Sequence, residues 1–386
     1  MQTGDEALKV FANRRLVGQL VKEDQQYVFQ YAADAQEDGF ISLTMPVRTR
    51  SYQDLSLLPI FEMHLPEGYL LSVLQRHFSK LIGSDELDLL KLLAPNIHGR
   101  LTYQLAESKK PSLELKDLLH PKEKLFEELV ERFALHSAVS GVQPKVLAQV
   151  QDKATLQTES YIVKTWGNDY PQLALNEYWC MKVVAAANVT VPEFYLSDDA
   201  RFFIMRRFDV YDQYIFGFED GCVLQGKSRK QKYEGSYEQL AKTLQRFISP
   251  QHKVTAMQQY FKIIVLNHAL QNGDGHLKNF GILYNTANDI WLAPAYDIVS
   301  TTAYIKNDTP ALTVSGSRRW MSRKRLLEFG QQHCQLTNQQ ASHLYDECEE
   351  AMQQTAVILK KEWRKTKTDE ARHVLSHLHK LMTEDS

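Results

Sequence analysis

Hydrophobic and polar residues alternate through the first part of the chain. Over residues 7–50 the apolar side chains recur at about every second position, a period typical of strands that bury one face. Asn13-Arg-Arg15 separates the first two runs and predicts a hairpin turn. The run Ile41-Ser-Leu-Thr-Met45 ends at Pro46, which favours the close of an edge strand. The pattern therefore predicts a small antiparallel sheet.

The period becomes helical from Phe61 onward. Apolar side chains then recur at every third or fourth position, and Asp85 is the predicted cap of a second helix. Together with the strands, these helices predict a small α+β unit over residues 1–105 that serves as a scaffold. Residues 106–122 are charged and interrupted by prolines, so they predict a linker or surface segment. A helix over residues 123–136 is predicted to follow.

The remaining chain mixes short strand-like runs with long helical ones. The runs at 161–164, 189–196, 202–205 and 280–284 are strand-like. Helical periods predict helices over 175–187, 236–248 and 254–270, and a largely helical segment over 300–386.

Composition and charge narrow the class of protein. The 386 residues are 44% hydrophobic and 24% charged, which is ordinary for a globular chain of two or three lobes. The net charge of −2 excludes an overall basic field for nucleic acid. The 4 scattered cysteines form no CxxC pair, which argues against a disulfide framework. With neither a signal pattern nor a membrane-length apolar run, we expect a soluble, cytoplasmic protein without a membrane partner.

Two basic stretches with interleaved tryptophan lie in the C-terminal part, at 318–325 and 360–367. Solvated helix faces explain such stretches most simply. The alternative is contact with a nucleic acid, DNA or tRNA, through its phosphates, which would make binding strongly dependent on salt.

The first candidate functional residues are a glycine-containing loop and a lysine within an apolar run. The loop Ser140–Lys145 contains Gly141, which lets backbone N–H groups approach an anion. Lys164 ends an apolar strand-like run, where a lysine is costly unless it is paired. Glu177 on the predicted helix is the natural carboxylate partner. Taken singly, the loop could be an ordinary turn, and the lysine could extend to solvent.

The densest polar cluster lies between Asp274 and Asn279. The acid and the amide are separated by four residues, which matches the protein-kinase catalytic loop Asp-x-x-x-x-Asn. In that loop the acid receives the hydroxyl proton and the amide holds a metal ion. Lys278 lies between them, placed to neutralise a γ-phosphate. Asp297 follows the next strand-turn-strand, where a kinase has its second metal ligand.

Each of these residues also has an alternative interpretation. An Asp-Gly pair is often a turn, His276 is more often a loop-packing residue than a catalyst, and Asp297 could cap a helix. Because the order of glycine loop, lysine strand, glutamate helix and acid–amide loop is that of a kinase, we interpret the cluster as a phosphoryl-transfer site. We assign His276 a structural or phosphate-contacting role, since Asp274 is the adjacent base.

Several motifs in this order resemble the HipA toxin kinases, the serine/threonine kinases of bacterial toxin–antitoxin modules. The N-terminal segment Phe61-Glu-Met-His-Leu-Pro-Glu-Gly68 is also similar to that family. The motifs are Ser140-Gly-Val-Gln-Pro-Lys145, Tyr161-Ile-Val-Lys164, Asn176-Glu177-Tyr178, Arg207-Phe-Asp209, Asn272-Gly-Asp-Gly-His-Leu-Lys-Asn279 and Tyr296-Asp-Ile298.

The resemblance implies a bilobal, protein-kinase-like α+β fold with an extra N-terminal subdomain and an all-helical C-terminal lobe. The implied domains are an N-terminal α+β subdomain over 1–105, an ATP-binding lobe over 106–209 and a mostly helical lobe over 210–386. The lobe over 106–209 would contain the glycine loop and the hinge. The lobe over 210–386 would contain the catalytic loop and the metal-binding aspartate.

The resemblance also implies site residues. Asp274 and Lys278 would be catalytic, Asn279 and Asp297 would hold Mg²⁺, and Glu177 would pair with Lys164. The implied nucleotide-binding residues are Ser140, Gly141, Val142, Gln143, Lys145, Lys164, Arg206, Arg207, Phe208, His276, Asn279, Tyr296 and Asp297.

The resemblance implies self-inactivation by autophosphorylation of a serine in the glycine loop. Ser140 is the better candidate and Ser137 the runner-up, because Ala138 occupies a position that is serine in some family members. Arg206 stands where some relatives have a hinge acid, so only backbone contacts with adenine carry over there.

The implied cofactors are ATP and Mg²⁺. The implied partners are an antitoxin, operator DNA and a protein substrate. A small helix-turn-helix antitoxin, HipB-like, would neutralise the toxin and repress the operon, so the complex would contact operator DNA. An aminoacyl-tRNA synthetase of glutamyl or tryptophanyl type would be the substrate, and its phosphorylation would halt translation. The alternatives are a kinase of a small molecule or lipid, and a non-catalytic corepressor acting with the antitoxin.

Overall fold

The computed structural model describes most of the chain. The chain divides into two compact units. The first unit is Met1–Lys164, Arg206–Lys232 and Leu283–Asn288, and the second unit is Thr165–Met205, Tyr233–Ile282 and Asp289–Ser386. The domain boundaries at 105 and 209 stay a prediction. The described residues are 7–65, 85–94, 97, 99–103, 115–122, 125, 145–151, 158–165, 169–211 and 214–384.

Strands occur in both units. In chain order they are β1 (Leu8–Ala12), β2 (Arg15–Glu23), β3 (Gln26–Tyr31), β4 (Tyr52–Asp54), β5 (Leu101–Thr102), β6 (Lys145–Gln151), β7 (Thr158–Lys164), β8 (Phe194–Leu196), β9 (Phe203–Arg206), β10 (Val210–Tyr211), β11 (Tyr214–Ile215), β12 (Gly217–Asp220), β13 (Gly281–Thr286) and β14 (Asp289–Leu292).

Among the described residues, helices are short in the first unit and long in the second. In chain order they are α1 (Pro59–Glu62), α2 (Glu86–Leu93), α3 (Leu115–Leu119), α4 (Leu173–Ala186), α5 (Gly221–Leu224), α6 (Tyr237–Phe247), α7 (Pro250–Ala269), α8 (Arg323–His333), α9 (Asn338–Lys365) and α10 (Asp369–Thr383).

The N-terminal sheet of the first unit is antiparallel, in the order β4-β3-β2-β1-β5. Asn13 and Arg14, both with positive φ, make the predicted hairpin turn. Phe29 of β3 and Phe61 of α1 are fully buried and pack against each other, with ring centroids 5.5 Å apart. Asp85 caps α2 as predicted, with a carboxylate oxygen that accepts from the Leu87 N–H at 2.9 Å. The predicted sheet, hairpin turn and cap are therefore all present.

The predicted edge strand Ile41–Met45 is wrong, because this segment forms only an isolated bridge between Ser42 and Met45. A buried carboxylate replaces the missing ladder partners. Glu219 on β12 accepts from the Ser42 hydroxyl and from the Leu43 N–H, each at 2.8 Å. These bonds hold the segment in a turn. Another difference lies in the predicted linker, where α3 forms and buries Leu118.

Glu219 is the least solvated acid of the first unit that the structure describes, with 0% exposure. The Tyr284 hydroxyl also donates to it, at 2.9 Å. Burial raises the pKa of the Glu219 carboxyl to about 7, although the donors from Leu43, Ser42 and Tyr284 lower it. Arg100 opposes the rise to a smaller degree. Glu219 therefore changes charge near neutral pH.

This raised pKa predicts a pH-dependent stability. The folded state binds the Glu219 proton more tightly than the unfolded chain, so this contribution is full below the ordinary pKa of 4.5 and is lost as pH rises through about 7. The loss amounts to at most about 3 kcal/mol. Glu219→Gln should flatten the fall in unfolding free energy between pH 5 and pH 8, measured by urea denaturation. The exposed Glu37→Gln should keep the wild-type slope; equal slopes for all three proteins would contradict the expectation.

Helix α7 forms the centre of the second unit. Its C-terminal half, residues 260–268, is buried on all sides and includes Tyr260, Phe261 and Ile264, as expected of an interior helix. Lys262 on α7 is also buried, and its ammonium donates to the Ala187 carbonyl at 2.7 Å and pairs with Glu347 of α9 at 2.5 Å. A buried lysine needs such partners. Helices α4, α8 and α10 pack against α9 around this core.

Candidate active site

The C-terminus of α7 directs the chain into the acid–amide loop. Gln271 follows the helix with φ of 53°, the left-handed conformation that ends many helices. The Gln271 N–H bonds to the His268 carbonyl at 3.1 Å, and the Asn272 N–H bonds to the Asn267 carbonyl at 2.8 Å. This pair of bonds is a Schellman motif, which satisfies the last carbonyls and reverses the chain. The loop therefore begins at a fixed point.

Side chains then fold the loop into a tight turn. The Asn272 side-chain oxygen accepts from the Asp274 N–H at 3.0 Å, which is an Asx turn. The Gly273 N–H donates to the Thr301 hydroxyl at 2.8 Å. A Cβ at Gly273 would lie 2.0 Å from an Asp308 carboxylate oxygen, so the close approach favours glycine. The Tyr237 hydroxyl donates to the Gly275 carbonyl at 2.8 Å.

Asp274 is partly exposed, with 34% of its side chain accessible, so it can reach a substrate. Its Oδ1 accepts from the hydroxyl of Tyr233 at 2.7 Å. His276 Nε2 lies 3.8 Å from the same oxygen, beyond hydrogen-bond distance. Burial raises the pKa of the neighbouring Tyr237 hydroxyl, and the Asp274 charge adds to the rise. An accessible carboxylate in this setting can accept a proton from an approaching hydroxyl.

The two predicted metal ligands come together at the end of the loop. Residues Leu277–Asn279 form one 3₁₀ turn, in which the Asn279 side-chain oxygen accepts from the His276 N–H at 3.2 Å. The Asn279 amide nitrogen makes a long contact of 3.5 Å with the backbone oxygen of Asp297. Asp297 has φ of 61°, in the left-handed region that aspartate tolerates better than most residues.

Asn279 and Asp297 supply an amide and a carboxylate oxygen, the donor types that Mg²⁺ prefers. Within the described ranges, no cluster of three or more His, Cys, Asp and Glu is placed to hold a metal ion. Mg²⁺ usually takes one or two protein oxygens together with phosphates and water, so a two-residue donor set fits it.

Lys278 and Tyr296 are held together by a side-chain bond. The Tyr296 hydroxyl donates to the Lys278 carbonyl at 2.7 Å, so the residue before Asp297 is joined to the residue before Asn279. The structure thus gathers six of the predicted site residues within the second unit. They are Asp274, His276, Lys278, Asn279, Tyr296 and Asp297.

Asn176 on α4 fixes the segment that follows Asp297. Its side chain is fully buried; the oxygen accepts from the Ser300 N–H at 2.8 Å and the nitrogen donates to the Ser300 carbonyl at 2.9 Å. The Asn176 amide therefore satisfies both the N–H and the carbonyl of Ser300, as a neighbouring backbone would. Asn176 belongs to one of the motifs on which the sequence resemblance rests, but the sequence alone did not indicate this role.

Asn176→Ala should lower the free energy of unfolding by about 2–4 kcal/mol, because it leaves both buried backbone groups of Ser300 without partners. Thermal or urea unfolding checks this value. The exposed Asn285→Ala is the matched control and should change stability by less than about 0.5 kcal/mol. Equal stability of the two variants would contradict the role of the buried amide.

Lysines 145 and 164 belong to the first unit. Strands β6 and β7 pair antiparallel in a register that sets Lys145 opposite Lys164. Lys164 is 1% exposed although its strand ends there. Glu177 lies on α4 in the second unit and is fully buried. Both ionisable groups are thus removed from water, and their pairing stays a prediction.

The predicted hinge residues Arg206, Arg207 and Phe208 also belong to the first unit. The Arg207 guanidinium is bound by Asp209 in a bidentate pair, whose longer bond joins Nε and Oδ1 at 2.8 Å. The Phe208 ring packs edge-on against the Phe218 ring, with centroids 5.4 Å apart. These contacts position the Arg207 and Phe208 side chains, and the predicted backbone contact with adenine stays a prediction. The predicted loop residues Ser137, Ser140, Gly141, Val142 and Gln143 lie outside the described residues.

Sequence reasoning did not identify Tyr233 and Thr301. Tyr233 lies in a stretch of lysines, glycines and aromatic residues that shows no helix or strand period, and Thr301 follows an apolar run. Their function depends on long-range contacts, with Asp274 for Tyr233 and with the Gly273 N–H for Thr301. None of the helices in the described part of the chain is long and apolar enough to cross a membrane.

Comparison with known structures identifies the fold. The structure superposes with a TM-score of 0.72 on a chain of the solved complex named Shewanella oneidensis MR-1 Toxin Antitoxin System HipA, HipB and its operator DNA. The match is 18% identical and covers 97% of this chain and 95% of that chain. The chain is therefore an α+β protein with the fold of that chain, which confirms the predicted fold class, while the predicted arrangement of subdomains stays a prediction.

Family models and relatives add sequence evidence. The HipA-like C-terminal domain model matches residues 137–356, more than half of the chain, and the HipA N-terminal domain model matches residues 8–104. The chain belongs to the HipA family, which confirms the predicted resemblance.

Two curated relatives are similar over parts of their length. "Putative kinase Y4dM" of Sinorhizobium fredii is 27% identical over 288 residues, which are 68% of this chain and 66% of that protein. "Putative kinase" of Haemophilus influenzae is 29% identical over 186 residues, which are 43% of this chain and 53% of that protein. The chain thus spans between half and two thirds of the length of these two relatives.

Proposed function

We propose that the protein is a serine/threonine protein kinase that uses ATP and Mg²⁺. The observation that carries this function is the arrangement of Asp274, Asn279 and Asp297. An accessible acid, an amide and a second acid stand at kinase spacing on one hydrogen-bonded loop system. Membership of the HipA family and the names of the two curated relatives support the same reaction class.

Asp274 is the proton acceptor for the attacking hydroxyl. As that oxygen bonds to the γ-phosphorus, the bond to the ADP oxygen breaks and the hydroxyl proton passes to the carboxylate. Lys278 supplies positive charge beside the acid, which stabilises the negative charge of the transferring phosphoryl group. His276 supports the loop through its backbone bond with Asn279 and contacts phosphate rather than acting as the base.

Asn279 and Asp297 would hold Mg²⁺. When bound, the ion neutralises charge on the phosphates and orients them for transfer. Three features support this assignment: the oxygen donors, the contact between the two residues and the left-handed backbone of Asp297. Tyr296 contributes by joining the Asp297 segment to the catalytic loop.

The remaining nucleotide contacts come from residues of the first unit. Lys164 binds phosphate with Glu177 as its ion-pair partner, and its burial supports a role that requires a partner. Lys145 and the loop positions Ser140, Gly141, Val142 and Gln143 cover the phosphates, while the backbone of 206–208 contacts adenine. Autophosphorylation of Ser140, or of Ser137, inactivates the enzyme.

The biological role that we propose is that of a toxin. A HipB-like helix-turn-helix antitoxin binds the protein, and the complex contacts operator DNA, as the name of the structural neighbour states for its own components. The substrate is an aminoacyl-tRNA synthetase of glutamyl or tryptophanyl type, so that phosphorylation inhibits translation in the cytoplasm.

The direct test is phosphoryl transfer from radiolabelled ATP. Purified protein with Mg²⁺ should label itself and a synthetase of one of the two types, and phosphoproteomics after brief induction should find the same serine or threonine. Labelling of lipids or metabolites faster than any protein would support the alternative substrate classes. Absence of transfer to every acceptor, together with unchanged toxicity of an Asp274→Asn protein, would falsify the kinase function.

A further inference from the structure

Tyr233 bonds to the acid of the candidate active site from a distant part of the sequence. Its hydroxyl donates to Asp274 Oδ1 at 2.7 Å, although 41 residues separate the two positions. The tyrosine lies before α6, in a stretch to which the proposed chemistry assigns no role. A phenol this close to the proton acceptor must affect how that acceptor meets a substrate.

Contacts on its other sides hold Tyr233 in place. Arg318 Nη2 donates to the Tyr233 carbonyl at 2.7 Å. The Tyr233 ring stands edge-on to the His276 imidazole, with centroids 5.1 Å apart and planes at 80°. Backbone, ring and hydroxyl are therefore each fixed by a different residue. A Tyr233 side chain that moves aside to admit substrate would have to break both the hydroxyl bond and the ring contact.

Because of the hydrogen bond from Tyr233, the two carboxylate oxygens of Asp274 have different surroundings. Oδ1 accepts from Tyr233 and is the oxygen nearest to His276 Nε2, at 3.8 Å. This arrangement restricts rotation of the carboxylate about its last bond. A hydrogen bond to the charged form also favours an ionised acid. The phenol O–H is the donor in this bond, because an ionised carboxylate can only accept.

We infer that Tyr233 is a positioning residue, which holds the Asp274 carboxylate through Oδ1 so that Oδ2 receives the proton of the attacking hydroxyl. Arg318 maintains this arrangement by fixing the Tyr233 backbone. The role presupposes the proposed kinase function. The opposite role is that the phenol takes the place of the substrate hydroxyl and blocks the site. In that case, removal of the Tyr233 hydroxyl would raise the rate of phosphoryl transfer instead of lowering it.

Tyr233→Phe tests the role because it removes only the hydroxyl. We expect kcat for protein phosphorylation to fall about 10- to 100-fold, the scale of a misplaced catalytic group, while KM for ATP changes less than about twofold. The exposed Tyr211→Phe is the matched control and should behave as wild type. Melting temperatures of both variants show whether the fold is intact, and the partly exposed position of Tyr233 predicts that it is.

The outcomes separate the two levels of inference. A wild-type protein without any transfer contradicts the proposed function itself. An active wild type with an equally active Tyr233→Phe contradicts the positioning role, and a faster variant shows that the phenol blocks the site. A fall in kcat accompanied by an equal loss of ATP affinity also contradicts it, because that result indicates a general disturbance.

A fluorinated tyrosine at position 233 gives a second measurement. Fluorine lowers the pKa of the phenol toward neutrality and leaves the ring and the donor in place. We expect near-wild-type kcat below that pKa and a loss of kcat as pH rises through it, because a phenolate donates no proton and repels Asp274. Wild-type protein should lack this loss. Identical pH profiles would overturn the role of the hydroxyl as donor.

Discussion

Asp274→Asn is expected to reduce phosphoryl transfer on the order of 10³-fold, because the amide is nearly isosteric but cannot accept the hydroxyl proton. The loop should keep its shape. Its turn depends on the Asn272 side chain accepting from the backbone N–H of residue 274, and that bond does not use the Asp274 side chain. The measurement is the single-turnover rate of protein labelling at saturating ATP.

Binding and folding distinguish loss of chemistry from loss of structure. The Asp274→Asn protein should bind a fluorescent ATP analogue within about threefold of wild type and melt within a few degrees of it. Asp34→Asn removes a carboxylate from an exposed loop and is the matched control, with no expected change in rate. Retention of at least a tenth of the wild-type rate by Asp274→Asn would exclude this carboxylate as the proton acceptor.

Local signals in the sequence predicted the elements that local bonds determine. Asp85 was recognised as a cap because a short acceptor before an apolar period is a strong local signal, and its bond to the Leu87 N–H spans two residues. The hairpin at Asn13 follows in the same way. Long-range bonds had no such signal. The edge strand at 41–45 fails because Glu219, 177 positions after Ser42, supplies the partners that a ladder would supply.

The candidate site shows the same division. The spacing of Asp274, Asn279 and Asp297 is visible in the sequence, because Asp274 and Asn279 share one short loop and Asp297 follows the next two strands. The residues that hold them are not visible, since Tyr233 and Asn176 act across 41 and 124 positions. The pattern of hydrophobic and polar residues indicates which positions are buried and whether a segment is a helix or a strand. It does not indicate which polar groups distant in the sequence form hydrogen bonds with each other. Residues that hold a site are therefore found from the structure.

Asp297→Asn is the second change with a large expected effect, and the backbone makes it informative. Residue 297 has φ of 61°, a conformation that asparagine tolerates as well as aspartate, so the substitution removes a charge without backbone strain. A metal ion contributes several kcal/mol to a charged transition state, so losing this ligand should slow transfer at least about 100-fold at low Mg²⁺. Phosphoryl-transfer rates measured across a Mg²⁺ titration provide the check.

The Mg²⁺ concentration that gives the half-maximal rate shows whether Asp297 binds the metal ion. If Asp297 holds the ion, the variant should need more Mg²⁺ for half-maximal rate and should regain part of its activity at high Mg²⁺, whereas chelation by EDTA should stop both proteins. Asp24→Asn is the matched control, because Asp24 is an exposed aspartate that also has a left-handed backbone, with φ of 47°. A reduced rate with an unshifted Mg²⁺ dependence would assign Asp297 to the shape of the loop rather than to the metal.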